Sequence, residues 1–311
     1  MPNFAIQNSN TPLSVESLAD TDHHAIEHWA ERLCADGYCV IPDLLPERDV
    51  AALDAALASD FEATPFCEGR FYGERTKRFG RLLARSPAAV PLVAHPLVLG
   101  VVQRVLRPWC DVFQLNLAQA IAIHPGALAQ MPHRDQDMWG GTKGELEYLV
   151  NVMWPLTPFT RENGATRLWR ESHGHRIDSV FADGEEQVPE YGPGSALLFL
   201  GSTLHAAGAN STGQVRRSLV TGYSLGWLKT YENQFLAYPP EVARSFEPDL
   251  AALVGYRQHR PNLGNFEGRC PSLVLGNRVP GPLAAIDALR PDQEDAVDAH
   301  AAAQRQACCA A

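Results

Sequence analysis

From Asp111 to about residue 230 the chain breaks into short apolar or alternating segments: DVFQLNLAQAIAI, LEYLVNVMWPL, GATRLWR, SALLFL and RRSLVTGYSLGWL. Gly, Pro or Asn turns part them, and no helical pattern lies between. Such runs read as strands, and without intervening helices they favour antiparallel pairing over a parallel doubly wound sheet. The expected core is therefore an antiparallel sandwich or jelly-roll barrel, with the helices packed outside it.

Those helices fall mostly before the strands. Residues 24–36 space Ile26, Trp29, Ala30 and Leu33 at helical intervals and stop at Gly37. YCVIPDLL follows as a short strand, and PERDVAALDAALASD reads as a helix with Pro46 in its first turn. A further helix is expected over 88–106, with Pro91 and Pro96 disturbing its start. After residue 230 the pattern turns helical around PPEVARSFEPDLAALVGY, then ends in a Gly/Pro-rich stretch and an Ala-rich tail. The expected organisation is a loose arm over 1–22, one domain over 23–265 and a loop-rich tail over 266–311. Within the domain, 23–110 is read as a helical part, 111–230 as the strand core and 231–265 as a helical extension.

Composition removes several function classes. Of 311 residues 45% are apolar and 20% charged, enough apolar matter to bury a sizeable core. A formal net charge of -10 argues against a nucleic-acid or anionic-membrane partner, whose phosphates need a basic surface. There is no run of about eighteen apolar residues, and the first residues lack a basic then apolar leader pattern, so a cytoplasmic protein acting on a small molecule, as a monomer or homodimer, is expected. The seven cysteines are odd in number and show no CxxC spacing, which points to small buried hydrophobes rather than disulfides or a zinc knuckle.

Candidate chemistry centres on MPHRDQDMW. His133 and Asp135 stand two apart, so on an extended strand both project from one face. An imidazole and a carboxylate suit iron(II), and a second, distant histidine would complete a two-His-one-carboxylate set with open positions. His205, between the apolar strand SALLFL and a Gly/Asn turn, is the candidate. Asp137, His124, and His173 with His175 in ESHGHR, are competing donors whose blander reading is turn capping or a satisfied buried imidazole. Arg216 lies eleven residues after His205 at the start of the next strand, where it could face the metal and grip a carboxylate bidentately. Arg217 would point the opposite way.

These motifs, with GYCVIPDLL, the helix opening at His95 and Pro96, QMPHRD, PLTPFTRENGATRLWRESH, PGSALLF and the paired arginines, resemble the phytanoyl-CoA dioxygenase-like branch of the iron(II)/2-oxoglutarate oxygenases over roughly residues 30–230. The resemblance implies a double-stranded β-helix (jelly-roll, cupin-like) core. It also implies iron(II) held by His133, Asp135 and His205, with 2-oxoglutarate bound by Arg216 with Gln130 and Thr166. Dioxygen would be the second co-substrate, and the outcome hydroxylation or desaturation of a C–H bond with release of succinate and CO2. Halogenating relatives carry a small residue where Asp135 stands, which speaks against halogenation. The region after residue 230 resembles microbial oxygenases of natural-product scaffolds, so a secondary metabolite or carboxylate-bearing compound is the expected substrate. Arg170 departs from the family, which has Pro or Gly before Ser-His.

Two rival functions use the same residues. A metal-dependent hydrolase or isomerase would activate water on the triad without needing Arg216, and a non-catalytic barrel would bind a ligand without turnover. The basic stretch GRFYGERTKRFGRLLAR carries Arg70, Arg75, Lys77, Arg78, Arg81 and Arg85 against Glu74. It reads either as a solvated helix face or as a cover over the active-site mouth that holds a substrate anion. Trp139 and Trp154 are candidate site aromatics whose plainer role is packing.

Overall fold

The computed structural model describes residues 23–174, 186–276 and 281–310. The arm expected over 1–22 lies outside them. Helix α1 (His23–Asp36) buries Ile26, Ala30 and Leu33 and hands over through Gly37 to strand β1 (Tyr38–Ile41). Gly37 has φ +83, a left-handed conformation that only glycine adopts without strain.

The helix expected after Pro46 is two, α2 (Glu47–Ala56) and α3 (Ala58–Ala63), and Pro46 caps the first rather than standing inside it. Strand β2 (Thr76–Phe79) and the short α4 (Leu82–Arg85) replace the helix face considered for the basic stretch. The region 88–106 is also divided: a 3-10 turn (Pro87–Ala89), α5 (Val90–Val93) and α6 (Pro96–Leu106). Pro96 accounts for the break, because the ring of a proline drives the preceding residue out of the helical region, and His95 is extended at ψ 120.

The strand core follows with β3 (Phe113–Ile123), β4 (Leu149–Pro155), β5 (Thr166–Trp169), β6 (Glu186–Gln187), β7 (Ala196–Leu200), β8 (His205–Ala207) and β9 (Arg216–Leu225). They form a major sheet ordered β1-β7-β4-β9-β3-β2 and a minor sheet ordered β6-β5-β8. Every pairing between these strands is antiparallel. This is the jelly-roll core with flanking helices. The longest ladder joins β3 to β9, from Phe113 opposite Leu225 to Ile123 opposite Arg216, with one bulge between Leu115 and Leu117.

Both faces of the major sheet are covered, which is why its strands read as nearly continuous apolar runs. On the outer face Leu115, Val152, Trp154, Leu198 and Tyr223 pack against α1, α2, α6 and the α9 helix (Pro248–Leu253). On the inner face Leu117, Ile121, Met153, Phe199 and Val220 meet Phe159, Ala165 and Leu168 from the minor sheet side. The candidate site opens between the two sheets.

Trp154 belongs to the outer core, 2% exposed, with its indole N–H donating to Thr221 Oγ1 at 3.3 Å. Truncating so large a buried ring leaves a cavity, so Trp154→Ala is expected to destabilise the fold by about 3–5 kcal/mol. Thermal unfolding monitored by circular dichroism checks this; an unshifted midpoint would place Trp154 outside the core.

Beyond β9 come α7 (Gln234–Ala237), α8 (Pro240–Ala243) and α9. The tail expected to be loop-rich instead ends in a helix of 20 residues, α10 (Pro291–Ala310). Alanine is the strongest helix former, Pro291 suits a first helical position, and Asp292 and Glu294 in the first turn complement the helix dipole. Of the described cysteines only Cys39 is buried, while Cys34 and Cys308 are exposed, so the reading of them as buried hydrophobes holds for one. Among the described residues no single helix is long and apolar enough to cross a membrane.

Candidate active site

His133 and His205 meet across an isolated antiparallel bridge, each backbone N–H donating to the other's carbonyl at 2.9 and 3.0 Å. Their rings stand 4.4 Å apart. Asp135 reaches them by a different backbone from the continuous strand expected, since it opens a 3-10 turn (Asp135–Met138). Arg134 between them is extended, at φ -118 and ψ 126, so positions 133 and 135 still project to one side. His133 Nε2 lies 3.3 Å from Asp135 Oδ1 and His205 Nε2 3.5 Å from Oδ2. One ligand atom from each of the three lies within 4.8 Å of the others.

The donor set is held ready. Each imidazole pairs its Nδ1 with the carbonyl two residues earlier, His133 with Met131 and His205 with Thr203, both at 3.0 Å. An Nδ1–H donated there leaves the Nε2 lone pairs turned toward Asp135, the arrangement metal-binding histidines use. Asn151 Nδ2 donates to Asp135 Oδ2 at 2.9 Å. Burial works against the Asp135 charge, but His205 and His133 overcome it and bring the carboxyl down to about 2. Burial lowers the His205 imidazole against the pull of Asp135. At His133 burial also lowers, but the hydrogen bond and charge of Asp135 outweigh it and the net direction is up. An ionised carboxylate with imidazoles presenting free Nε2 atoms fits a divalent transition metal.

Two cations that sequence reading passed over brace this corner. Arg134 donates from Nε to the Ser202 carbonyl and from its terminal nitrogen to that of Ser172, at 3.0 and 3.1 Å. Lys143 Nζ donates to the carbonyls of Gln136 and Trp139, both at 2.8 Å, closing the turn that carries Asp135.

The triad faces a cavity of about 350 Å³, whose polar lining includes Gln119, Gln130, Thr166, Arg78 and Arg216. Arg216, the first residue of β9, is 2% exposed. Its guanidinium lies over the Phe159 ring at 4.2 Å and donates to the Gly164 carbonyl at 2.6 Å, while Nε is buried without a partner. Burial lowers its pKa to about 10, with Tyr191 opposing and Arg78 adding to the fall, so it stays a cation at neutral pH. Gly164 adopts φ +88, and a Cβ there would meet the Gly208 carbonyl at 2.7 Å, so a glycine is needed to bring this carbonyl under Arg216. Arg217 points the opposite way, donating to Asp54 at 2.6 Å. Thr166 is buried on β5 opposite Ala207, and Gln130 accepts from the Ala207 N–H at 3.3 Å.

The remaining candidates divide. Of the basic stretch only Arg78 lines the metal cavity; its guanidinium lies 4.9 Å from the Tyr72 ring centre and its Nε is buried without a partner. Arg70 and Arg75 line an adjacent chamber, and Lys77 is turned away, donating to the carbonyls of Phe61 and Glu62. Arg81 donates to the Ala237 carbonyl and Arg85 pairs with Asp60. Trp139 is not a cavity residue: its indole N–H donates to the Lys229 carbonyl at 2.9 Å and its ring packs on Tyr148. Asp137 stands at the cavity rim, 3.3 Å from Lys143. His124 packs on Phe66 and His173 pairs with the Cys34 carbonyl, while His175 lies outside the described residues. Arg170, the departure from the family pattern, pairs with Asp36 on α1, away from the triad. Asn151 was missed, although a lone amide in the apolar run LVNVMWP is a signal of a buried polar contact.

Comparison with known proteins shows the family. Residues 33–218 match the family model described as phytanoyl-CoA dioxygenase (PhyH). The chain is 31% identical over 254 residues to the dioxygenase aneA of Aspergillus aculeatus, covering 76% of this chain and 84% of that one. It is 29% identical over 239 residues to the dioxygenase trt7 of Aspergillus terreus, covering 73% and 83%. Among solved structures, the non-heme alpha ketoglutarate dependent epimerase SnoN from nogalamycin biosynthesis superposes with a TM-score of 0.56 at 20% identity, over 66% of this chain and 85% of that one. The matched span contains the triad and Arg216, and the chain belongs to the phytanoyl-CoA dioxygenase family.

Proposed function

We propose that His133, Asp135 and His205 hold iron(II) and that Arg216, with Thr166 and Gln130, anchors the far carboxylate of 2-oxoglutarate beside it. The chain is an iron(II)- and 2-oxoglutarate-dependent oxygenase that oxidises a small organic molecule. The observation that carries the assignment of residues is Arg216: a buried guanidinium with an orphaned Nε, in the cavity of the triad and without a carboxylate partner among the described residues. A buried unpaired charge costs several kcal/mol, and a dicarboxylate seated there supplies the missing partner. A hydrolase that activates water on the triad would not need it, and turnover separates the oxygenase from a barrel that only binds a ligand.

When bound, the metal and its co-substrate supply the oxidising power of dioxygen, with 2-oxoglutarate leaving as succinate and CO2. The protein's part is positional. Asn151 and the two backbone carbonyls fix the ligand atoms, Phe159 and Gly164 fix the Arg216 plane, and Leu117, Ile121, Met153 and Val220 exclude water from the reacting C–H bond. With Asp135 in the ligand set, hydroxylation or desaturation is the expected outcome, on a secondary metabolite, in keeping with the nogalamycin biosynthesis in which SnoN acts.

The purified protein is expected to consume 2-oxoglutarate and oxygen and to form succinate only when iron(II) is supplied. Oxygen electrode traces and succinate quantitation measure this. Undiminished turnover after chelation, or without 2-oxoglutarate, would sink the reading.

A further inference from the structure

Next to the metal cavity lies a second chamber of about 490 Å³. The two share Phe71, Tyr72, Arg78, Ile123, Gln130 and Ala207 as lining, so these six residues form the boundary between them. Phe71 packs edge-on against the His133 ring at 4.9 Å, and Tyr72 shares a 2.5 Å hydroxyl contact with Tyr231 from beyond β9. Phe71 and Tyr72 are carried between Gly69 and Gly73, both at positive φ, and a Cβ at Gly69 would meet nothing within 4 Å.

The outer chamber differs in character from the inner one. Arg70, Arg75 and Arg78 line it against Glu74 alone, in a protein whose net charge is -10. Arg75 is anchored through Nε to the Pro125 carbonyl at 2.6 Å and lies over Gly126, and its terminal nitrogens bond nothing among the described residues. Arg70 has no carboxylate partner among them either. Apolar surface accompanies the charge: Leu128 on the chamber wall is 88% exposed and Phe71 46%. Unpaired guanidinium groups beside bare apolar surface fit a ligand that is itself both anionic and apolar.

We propose that the outer chamber completes the substrate site by seating the carboxylate of an organic acid between Arg70 and Arg75, with the acid's apolar body passing Phe71 and Tyr72 toward the metal cavity. The inference rests on the oxygenase reading above and names the substrate class of that site. Glu74 on the same wall opposes a multiply charged group, which favours a single carboxylate over a polyphosphate.

The test uses protein loaded with iron(II) and saturated with 2-oxoglutarate without oxygen, so that Arg216 is already engaged. Two fluorescent probes of matched shape, pyrenebutyrate and neutral pyrenebutanol, are titrated in. Arg70→Gln is expected to weaken pyrenebutyrate about tenfold, as loss of one charged contact does, and to leave pyrenebutanol unchanged. Arg75→Gln should do the same, whereas Lys77→Gln, whose ammonium is turned away from the chamber, should not. Because the Arg70 side chain bonds nothing among the described residues, its variant decides the matter if Arg75→Gln disturbs the loop. Equal effects on both probes, or none on pyrenebutyrate, would overturn the proposal. Those outcomes alongside normal iron-dependent succinate formation sink the carboxylate site alone; failure of the unaltered protein to form succinate sinks the oxygenase reading.

Discussion

His205→Ala and Asp135→Ala are expected to abolish iron-dependent 2-oxoglutarate turnover and to remove stoichiometric iron binding, with the fold intact. Each donates one of the three converging ligand atoms, and no fourth His, Cys, Asp or Glu joins their cluster among the described residues. Asp135→Ala removes in addition the one carboxylate that offsets metal charge. Asn151→Ala gives the calibration. It touches no metal but frees Asp135 Oδ2, and loss of such an outer contact costs about 10–100-fold in metal affinity. The ligand variants should exceed that range. Anaerobic titration with iron(II), followed by calorimetry, reads all three, and far-ultraviolet circular dichroism reports the fold. Iron bound one-to-one by Asp135→Ala, with turnover retained, would show that Asp135 is not a ligand; Asp137, already engaged with Lys143 at the rim, would then be the carboxylate to test.

The parts of this site that were legible in the sequence are those set by strand parity. Neighbours on a strand must face opposite ways, so once β9 was recognised the choice between Arg216 and Arg217 was a single alternation, and the β3 ladder delivers Arg216 to the inner face. The His133–Asp135 pair was found for a reason only half right: the extended residue is Arg134, and a turn follows where a strand was expected. What could not be read was decided across long sequence distances. Lys77 and Arg78 are adjacent, yet one turns toward α3 and the other toward the cavity, because β2 pairs with the end of β3 in one particular register. Trp139 lay close to the triad in sequence, but Lys143 closes the turn after Asp135 and carries the indole onto Tyr148 instead. The α10 helix departs from the loop-rich tail expected because its alanines favour a helix irrespective of the Gly/Pro-rich stretch before it.

Arg216→Met is expected to separate co-substrate binding from both metal binding and stability. It should retain iron, because no triad atom is bonded to the guanidinium, while affinity for 2-oxoglutarate falls. Truncating one partner of a buried charge pair costs about 2–5 kcal/mol, which is ~30-fold to several-thousand-fold in Kd. Arg216→Lys should recover part of the loss, since a point charge remains but the bidentate fork does not. Stability should move the other way. Without ligand the protein buries an under-satisfied cation against Phe159, and replacing a poorly compensated buried charge by an apolar side chain of similar size is neutral or stabilising by about 1–4 kcal/mol. The metal-free Arg216→Met protein is therefore expected to unfold at the same or a higher temperature than the unaltered one. Arg217→Ala is the opposite case. It breaks the pair with Asp54, a carboxyl that burial already pushes up and Arg217 holds down, so it should lower the unfolding midpoint and leave the 2-oxoglutarate Kd alone. A weakened 2-oxoglutarate Kd in Arg217→Ala with an unaltered one in Arg216→Met would mean that β9 presents its other face to the cavity. An unfolded or strongly destabilised Arg216→Met protein would mean that the guanidinium is a strut of the minor sheet through Gly164 rather than a seat kept open for a dicarboxylate.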